Sequence, residues 1–252
     1  MPMFFEILSG RNAVREALLA KRRRVSKVLL AEGVTSKDIV AELTVLCQNA
    51  HVPLQLMPRE ALDRQSPELR HQGVLAEVSP YPYVTLEDIL SAAQTRGQAP
   101  FILILDNLQD PQNVGSLLRT AEAVGVHGVI VMTQRAVGIT PAVSRASAGA
   151  VEHLAIAQMT NLAQTLRWLK ERGVWIIGVE EHPQAQDYRA ITYDMPLALI
   201  VGSEGSGLRR LTIEECDYIV RIPMHGLIHS LNVSVAGSLL LYQVLTSREP
   251  RS

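Results

Sequence analysis

The order of apolar and polar residues predicts two successive α/β units. In the first, Val25–Leu30, Pro53–Met57 and Gly73–Val78 are short apolar runs of the length typical of strands. Helices are predicted before and between these runs, one capped by Ser9 and another begun by the capping-box pair Thr35–Asp38. The first part of the chain is therefore predicted to be a small α/β unit.

The second part of the chain contains five short, largely apolar runs that are separated by helical patterns. Such runs suit parallel strands that are buried on both faces. Helices are predicted over Leu117–Val124 and Leu162–Lys170. This order predicts a doubly wound sheet, in which ligands bind at the carboxyl ends of the strands. The five predicted strands are Phe101–Leu105, Val129–Met132, Trp175–Val179, Leu197–Val201 and Tyr218–Ile222.

Two breaker-rich stretches mark the boundary between the units. Pro80 and Pro82 remove backbone donors and restrict the residues before them, and Gly97 and Pro100 end the next short helical pattern. We therefore predict a domain over residues 1–78, a linker over 79–99 and a second domain over 100–252. The chain shows no internal repeat.

Composition excludes several classes of protein. Of the 252 residues, 47% are hydrophobic and 19% charged, which is enough apolar surface for a core and too much for a disordered chain. Aromatic residues make up only 4%, which argues against an aromatic platform for stacked bases. With a formal net charge of −1, no global basic field attracts polyanions.

One basic run stands out against this balance. It could contact RNA phosphates, or it could be a solvated helix end, since cations favour the last turn of a helix. The run consists of Lys21, Arg22, Arg23 and Arg24.

Cysteine and histidine spacing argues against a metal site. The two cysteines, Cys47 and Cys216, are far apart, which fits a reducing compartment rather than a disulfide scaffold. His225 and His229 have a ligand-like spacing, but they sit in a glycine-containing loop and no acidic ligand follows. No apolar run approaches 18 residues and no signal peptide is evident, so we expect a cytoplasmic protein without metal.

Three polar loops follow predicted strands, and each also has a purely structural interpretation. In the first, Asn113 can cap a helix that carries Arg119, which could equally be a surface arginine. The second loop places Glu204 among glycines. These glycines can let the backbone approach a ligand closely, or they can serve only to turn the chain. In the third, Ser230 and Asn232 can cap the last helix.

Together the three loops resemble the motifs of the SpoU (TrmH-type) family of RNA ribose 2′-O-methyltransferases. The resemblance spans about 150 residues, and the order of the motifs makes it specific. The opening stretch Leu8–Val14 further resembles the bacterial 23S rRNA guanosine-2′-O-methyltransferases of this family. The matching stretches are Asn113-Val114-Gly115 with Arg119-Thr120-Ala121, Val201-Gly202-Ser203-Glu204-Gly205, and Ser230-Leu231-Asn232-Val233-Ser234-Val235-Ala236.

The resemblance implies a fold, a donor and an assembly. It implies a small N-terminal RNA-binding domain of the L30e-like type and a C-terminal α/β-knot (SPOUT) domain with a parallel sheet and a deep trefoil knot. S-adenosylmethionine would bind in that knot, held by the backbone of Gly202, Ile222 and Leu231. The protein would be a homodimer with ribosomal RNA as its substrate.

The resemblance also implies catalytic roles. In the family this arginine is often proposed as a general base. Because a guanidinium keeps its charge, our hypothesis is instead that Arg119 binds a substrate phosphate and stabilises the developing alkoxide. Glu204 would orient Arg119 or nearby amides, Asn113 would hold the hydroxyl or the loop, and Ser230 and Asn232 would shape the pocket.

Three other functions compete with this interpretation. A nicotinamide-dependent oxidoreductase would need Gly-x-Gly-x-x-Gly after an early strand, and Leu105–Gly115 lacks it. The same absence argues against the common Rossmann-like methyltransferase fold. A non-catalytic RNA-binding protein would not need the five polar motif residues. A tRNA ribose methyltransferase of the same family stays open.

Overall fold

A computed structural model describes residues 4–34, 37–66, 71–203, 205, 207–228 and 230–249. By internal contacts the chain divides into two compact units. The smaller unit comprises Met1–Pro82 with Ile139–His153, and the larger comprises Tyr83–Gly138 with Leu154–Ser252. The division predicted from the sequence, with a domain over residues 1–78, a linker over 79–99 and a domain over 100–252, remains a prediction.

The described residues form eleven strands, nine α-helices and one short 3₁₀ turn. The strands are β1 (Glu6–Ser9), β2 (Val25–Ala31), β3 (Leu54–Met57), β4 (Val74–Val78), β5 (Phe101–Leu105), β6 (Gly128–Met132), β7 (Ile156–Met159), β8 (Trp175–Val179), β9 (Gln186–Asp187), β10 (Leu197–Val201) and β11 (Tyr218–Arg221). The helices are α1 (Arg11–Ala20), α2 (Lys37–Asn49), α3 (Arg59–Gln65), α4 (Leu86–Thr95), α5 (Pro111–Ala123), α6 (Pro141–Ala146), α7 (Leu162–Lys170), α8 (Arg210–Glu215) and α9 (Val233–Arg248), and the 3₁₀ turn is Ala150–His153.

The smaller unit is built on a four-stranded mixed sheet in the order β1-β4-β2-β3. Apolar residues of the strands and of α1 and α2 form one core, with Leu8, Val14 and Leu43 fully buried. The predicted capping of α1 by Ser9 is wrong, because Ser9 ends β1 and Gly10 is the cap residue. Gly10 has a φ of 98°, which a residue with a side chain rarely adopts, so the turn needs glycine there. Thr35, of the other predicted cap, lies outside the described residues.

The larger unit has a seven-stranded sheet in the order β7-β6-β5-β10-β8-β11-β9, and every neighbouring pair is parallel. The predicted parallel α/β sheet is therefore confirmed. Helices α4 and α7 cover one face, where Ile89 and Leu166 are buried. Helices α5 and α9 pack against each other, and a Cβ on Gly237 would meet the side chains of Leu117 and Val201. The sheet thus places α5 and α9 beside the carboxyl end of β10.

The position of Arg23 shows that the predicted contact of this residue with RNA is wrong. Its side chain is fully buried, and its Nε and Nη1 lie 3.0 Å from carboxylate oxygens of Glu152 and Glu6. Its Nη2 donates to the Ser144 hydroxyl at 3.1 Å, and its guanidinium stacks over the ring of Tyr81. A buried, paired guanidinium cannot contact RNA, so Arg23 holds α6 and the 3₁₀ turn onto α1 and β1.

None of the described helices combines the length and the apolar character needed to cross a membrane.

Candidate active site

A cavity of about 580 Å³ opens at the carboxyl ends of β8, β10 and β11, beside the start of α9. We call it the first cavity. Its volume lies within the range that small-molecule sites use. Its lining is partly apolar, with Val179, Val201 and Ala236, and partly polar. Five site residues that were predicted from the sequence line the first cavity: Gly202, Ile222, Ser230, Leu231 and Asn232.

The glycine-rich loop after β10 forms one wall of the first cavity. A Cβ on Gly202 would lie 2.4 Å from the carbonyl carbon of Gly207, so the backbone fits there only without a side chain. The loop is held by Glu180, whose Oε2 accepts from the Leu208 N–H at 2.6 Å. Glu180 follows β8 and was missed by the sequence analysis, because no local motif marks a carboxylate that acts on a loop 28 residues away.

The first and third motifs meet through two asparagines. The Asn232 amide nitrogen donates to the Asn113 side-chain oxygen at 2.9 Å. The Asn232 side-chain oxygen accepts from the backbone N–H groups of Ser234 and Val235, at 2.9 and 3.3 Å. Asn232 is therefore the N-cap of α9, as predicted, and it also orients Asn113.

The predicted capping role of Asn113 is wrong. Helix α5 begins at Pro111, and the Asp110 carboxylate caps it by accepting from the N–H groups of Gln112 and Asn113. Proline at the first helical position fits because its missing N–H would be unpaired there. Since Asp110 does the capping, the Asn113 side chain is available to meet Asn232.

Arg119 is not brought into this cluster. Arg119 lies on the exposed side of α5, and it lines neither of the cavities at this edge of the sheet. No hydrogen bond or ion pair joins its guanidinium to the described residues of the chain. Glu204 lies outside the described residues, as does His229. Of the five predicted catalytic residues, Ser230 and Asn232 thus line the first cavity, and Asn113 contacts Asn232.

A second cavity of about 650 Å³ adjoins the first, since Ser203 lines both. We call it the second cavity. Asn113 lines it, together with Asn107, Arg135 and Arg209. The Asn113–Asn232 hydrogen bond therefore lies between two spaces, one on the glycine-loop side and one on the side of two arginines.

Among the described residues, no group of three His, Cys, Asp or Glu side chains is arranged to hold a metal ion.

Two family models match the chain. The SpoU rRNA Methylase family matches residues 100–242, and the model for RNA 2′-O ribose methyltransferase substrate binding matches residues 7–84. The chain therefore belongs to the SpoU rRNA methylase family, and it is an RNA methyltransferase with that family's separate N-terminal substrate-binding domain. The family and the enzyme class predicted from the three motifs are confirmed.

Curated relatives extend over nearly the whole chain. A Bacillus subtilis (strain 168) protein named "Putative TrmH family tRNA/rRNA methyltransferase YacO" is 45% identical over 241 residues, covering 96% of this chain and 95% of the relative. A Staphylococcus aureus (strain MSSA476) relative with the same family name is 41% identical over 242 residues, covering 96% of each chain.

Solved structures confirm the α/β fold. The SpoU methyltransferase AviRb from Streptomyces viridochromogenes has a TM-score of 0.80 at 25% identity and covers 97% of this chain and 90% of its own. A second AviRb structure, in complex with the cofactor AdoMet, has a TM-score of 0.81 at 24% identity, with the same coverage. The A. aeolicus TrmH/SpoU tRNA modifying enzyme is 30% identical, with a TM-score of 0.55, and covers 60% of this chain and 76% of its own.

Proposed function

We propose that this protein transfers a methyl group from S-adenosylmethionine to the ribose 2′-hydroxyl of a guanosine in 23S rRNA. The observation that carries the proposal is the hydrogen bond between Asn113 and Asn232. It joins the polar start of α5 to a cap residue that lines the first cavity. A donor in the first cavity and an acceptor hydroxyl near Asn113 would then be neighbours.

The first cavity fits a nucleoside-type methyl donor. Apolar residues line part of it, and Gly202, Ile222 and Leu231, which also line it, would supply backbone amide and carbonyl groups to the donor. The close approach of Gly202 to Gly207 keeps that wall free of side chains. S-adenosylmethionine supplies, when bound, a methyl group on a sulfonium, which is already activated for transfer.

The chain's own residues would then have to align and activate a weakly acidic hydroxyl. Asn113 would hold the 2′-hydroxyl or the loop, at the point where its side-chain oxygen accepts from the Asn232 amide. Ser230 and Asn232 would shape the wall between donor and acceptor. Arg119 would stabilise the developing alkoxide, and Glu204 would orient Arg119.

We further propose a homodimer in which Arg119 acts in the partner's site. Support comes from α9, where Val235, Leu239 and Tyr242 are 43–51% exposed at helical spacing. Large apolar side chains exposed along one helix favour burial against a second copy. Arg119 lines neither of the two cavities formed by the described residues at this site. Mixing Arg119→Ala and Asn113→Ala dimers should therefore restore activity, which neither variant has alone. Mixtures as inactive as the parents would contradict the shared site.

RNA binding by the smaller unit is proposed for the exposed part of the basic run. Lys21 and Arg24 are exposed and Arg22 is half-buried, so these three can still face phosphates. The same proposal includes the deep trefoil knot that the resemblance implies and the cytoplasmic location that the sequence leads us to expect.

A tRNA substrate is the second candidate. The structural match that favours it, the A. aeolicus tRNA modifying enzyme, covers only 60% of this chain. The test uses purified protein, radiolabelled S-adenosylmethionine and unmethylated total RNA separated by size, followed by nuclease mapping. Label on 2′-O-methylguanosine in large-subunit rRNA would support the proposal. Label in tRNA would show that tRNA, and not rRNA, is the substrate. Absence of label from every RNA would contradict the proposed activity.

A further inference from the structure

Two arginines lie at the edge of the sheet, beside the proposed acceptor site. The second cavity and a smaller one of about 380 Å³ share Asn107, Arg135 and Arg209. Asn107 follows β5, and Arg135 follows β6. Arg209 ends the glycine-rich loop, just before α8. The carboxyl ends of these neighbouring strands thus bring two guanidinium groups to the space that Asn113 borders.

Arg209 is held in place by a buried carboxylate. Asp106, only 1% exposed, accepts from Arg209 Nη2 at 2.8 Å and from the Thr212 hydroxyl at 3.3 Å. A guanidinium has five N–H donors, and about half of the Arg209 side chain is exposed. Asp106 therefore fixes the orientation of Arg209 while other donors still face the cavity.

Arg135 supplies the second guanidinium at this site. Its side chain is exposed, and no hydrogen bond or ion pair joins its guanidinium to the described residues. Its backbone has a φ of 55°, and its carbonyl oxygen accepts from the Gln109 side chain at 3.4 Å. Asn107, on the same cavity, has a φ of 60°. Arginine is uncommon in this left-handed region, so the loop is held in a defined shape with Arg135 on the cavity lining.

We infer that Arg135 and Arg209 bind an RNA phosphate next to the methylated nucleotide, on the side of Asn113 away from the donor. Planar guanidinium groups match phosphate oxygens with paired N–H donors. Among the described residues that line the two cavities, Asp110 is the one carboxylate, and it accepts from the first amides of α5, while Asp106 lies behind Arg209 and pairs with it. The same lining contains no aromatic side chain, so phosphate contact rather than base stacking is the chemistry offered.

This inference rests on the proposed function and adds the residues that seat its substrate. It also explains how a chain with a net charge of −1 binds a polyanion, since the positive groups are local and placed at the site. A contact beside the acceptor nucleotide should act on RNA affinity and leave donor binding alone.

The test is Arg135→Gln, which removes the charge and keeps most of the side chain. We expect the Kd for the RNA that the wild type methylates to rise about tenfold, and the slope of log Kd against log salt to fall by about 0.7, the value for one phosphate contact to single-stranded RNA. The donor Kd and the rate at saturating RNA should stay within about threefold of the wild type.

Arg210→Gln is the matched control. Arg210 directly follows Arg209, but its side chain is paired with Glu214 at 3.0 Å and it lines neither cavity. Its RNA affinity and salt slope should equal those of the wild type. Equal losses in both variants, or an unchanged Arg135→Gln in an active wild-type background, would overturn the phosphate site. A wild type that methylates no RNA would instead overturn the proposed function.

Discussion

Asn113 and Asn232 lie 119 residues apart in the chain, and their side chains meet in a hydrogen bond of 2.9 Å. Each asparagine also marks the first turn of a helix, Asn113 in α5 and Asn232 at the cap of α9. Because Asn232 uses its oxygen for the cap, only its amide nitrogen can face Asn113. The orientation of the Asn113 amide therefore depends on the start of another helix.

The two functions of Asn232 can be separated by substitution. Asn232→Asp keeps the oxygen that caps α9 but removes the N–H that orients Asn113. We expect its unfolding free energy to stay within about 0.5 kcal/mol of the wild type, whereas Asn232→Ala should lose about 1 kcal/mol with the cap. Both should lose methyl transfer. Urea unfolding and a transfer assay check this, and an active Asn232→Asp would refute the orienting role.

The close packing of the glycine-rich loop predicts a loss of donor binding in Gly202→Ala. The new Cβ would lie 2.4 Å from the backbone of Gly207, so the loop must shift. Overpacking of this kind costs about 1–3 kcal/mol, so we expect the donor Kd to rise by roughly 5-fold to 150-fold. Gly226→Ala is the control, because nothing lies within 4 Å of its Cβ position. Calorimetry with S-adenosylmethionine measures both, and equal affinities would contradict the account of the loop.

Arg23 and its neighbour Arg24 should behave differently on substitution. Arg23→Leu leaves Glu152 buried without its partner, where burial already raises the pKa of that carboxyl. We expect a loss of about 3–5 kcal/mol in unfolding free energy. Arg24 is exposed, so Arg24→Leu should change stability by less than about 0.5 kcal/mol and weaken RNA binding instead. A stable Arg23→Leu with reduced RNA affinity would restore the RNA-contact role.

His127 predicts an acid-sensitive contribution to stability. Burial, followed by the charges of Arg96 and Arg248, lowers the pKa of His127 to about 4. The neutral ring accepts from the Phe101 N–H at 3.0 Å and bonds to the Gln98 side chain. Between pH 6.5 and about 4 the unfolded chain binds the proton that the folded chain excludes, so stability falls as the pH falls.

This contribution is measured by comparison with His127→Gln, which does not titrate. Between pH 8 and pH 5, the wild type should lose about 2 kcal/mol more unfolding free energy than the variant. Urea unfolding at the two pH values checks the difference. Parallel losses would show that His127 titrates in the folded protein as it does in the unfolded chain.

The sequence predicted the strands far better than the contacts that build the site. Buried parallel strands such as Phe101–Leu105 and Leu197–Val201 are apolar at every position, so their bounds were predicted correctly. The two-residue strand Gln186–Asp187 and the half-exposed Ile156–Met159 were missed because neither has that pattern.

Contacts between distant residues leave no local pattern in the sequence. Both interpretations of the basic run, RNA contact and a solvated helix end, left Arg23 exposed, because its partner Glu152 lies 129 residues away. Glu180 and Arg209 were missed for the same reason, since each acts through a residue far along the chain. The residues that line the first cavity were predicted from the resemblance to the family's motifs. That Asp110, and not Asn113, caps α5 became evident only from the folded chain.

The central claim is that Asn113 acts on the acceptor hydroxyl and not on the donor. The most direct measurement is single-turnover methyl transfer to the RNA that the wild type labels, at saturating RNA and S-adenosylmethionine, for the wild type and Asn113→Ala. Donor affinity is measured on the same preparations. We predict a rate about 100-fold lower in Asn113→Ala, with the donor Kd within about threefold of the wild type. A rate near that of the wild type, or a loss explained entirely by weaker donor binding, would contradict the account.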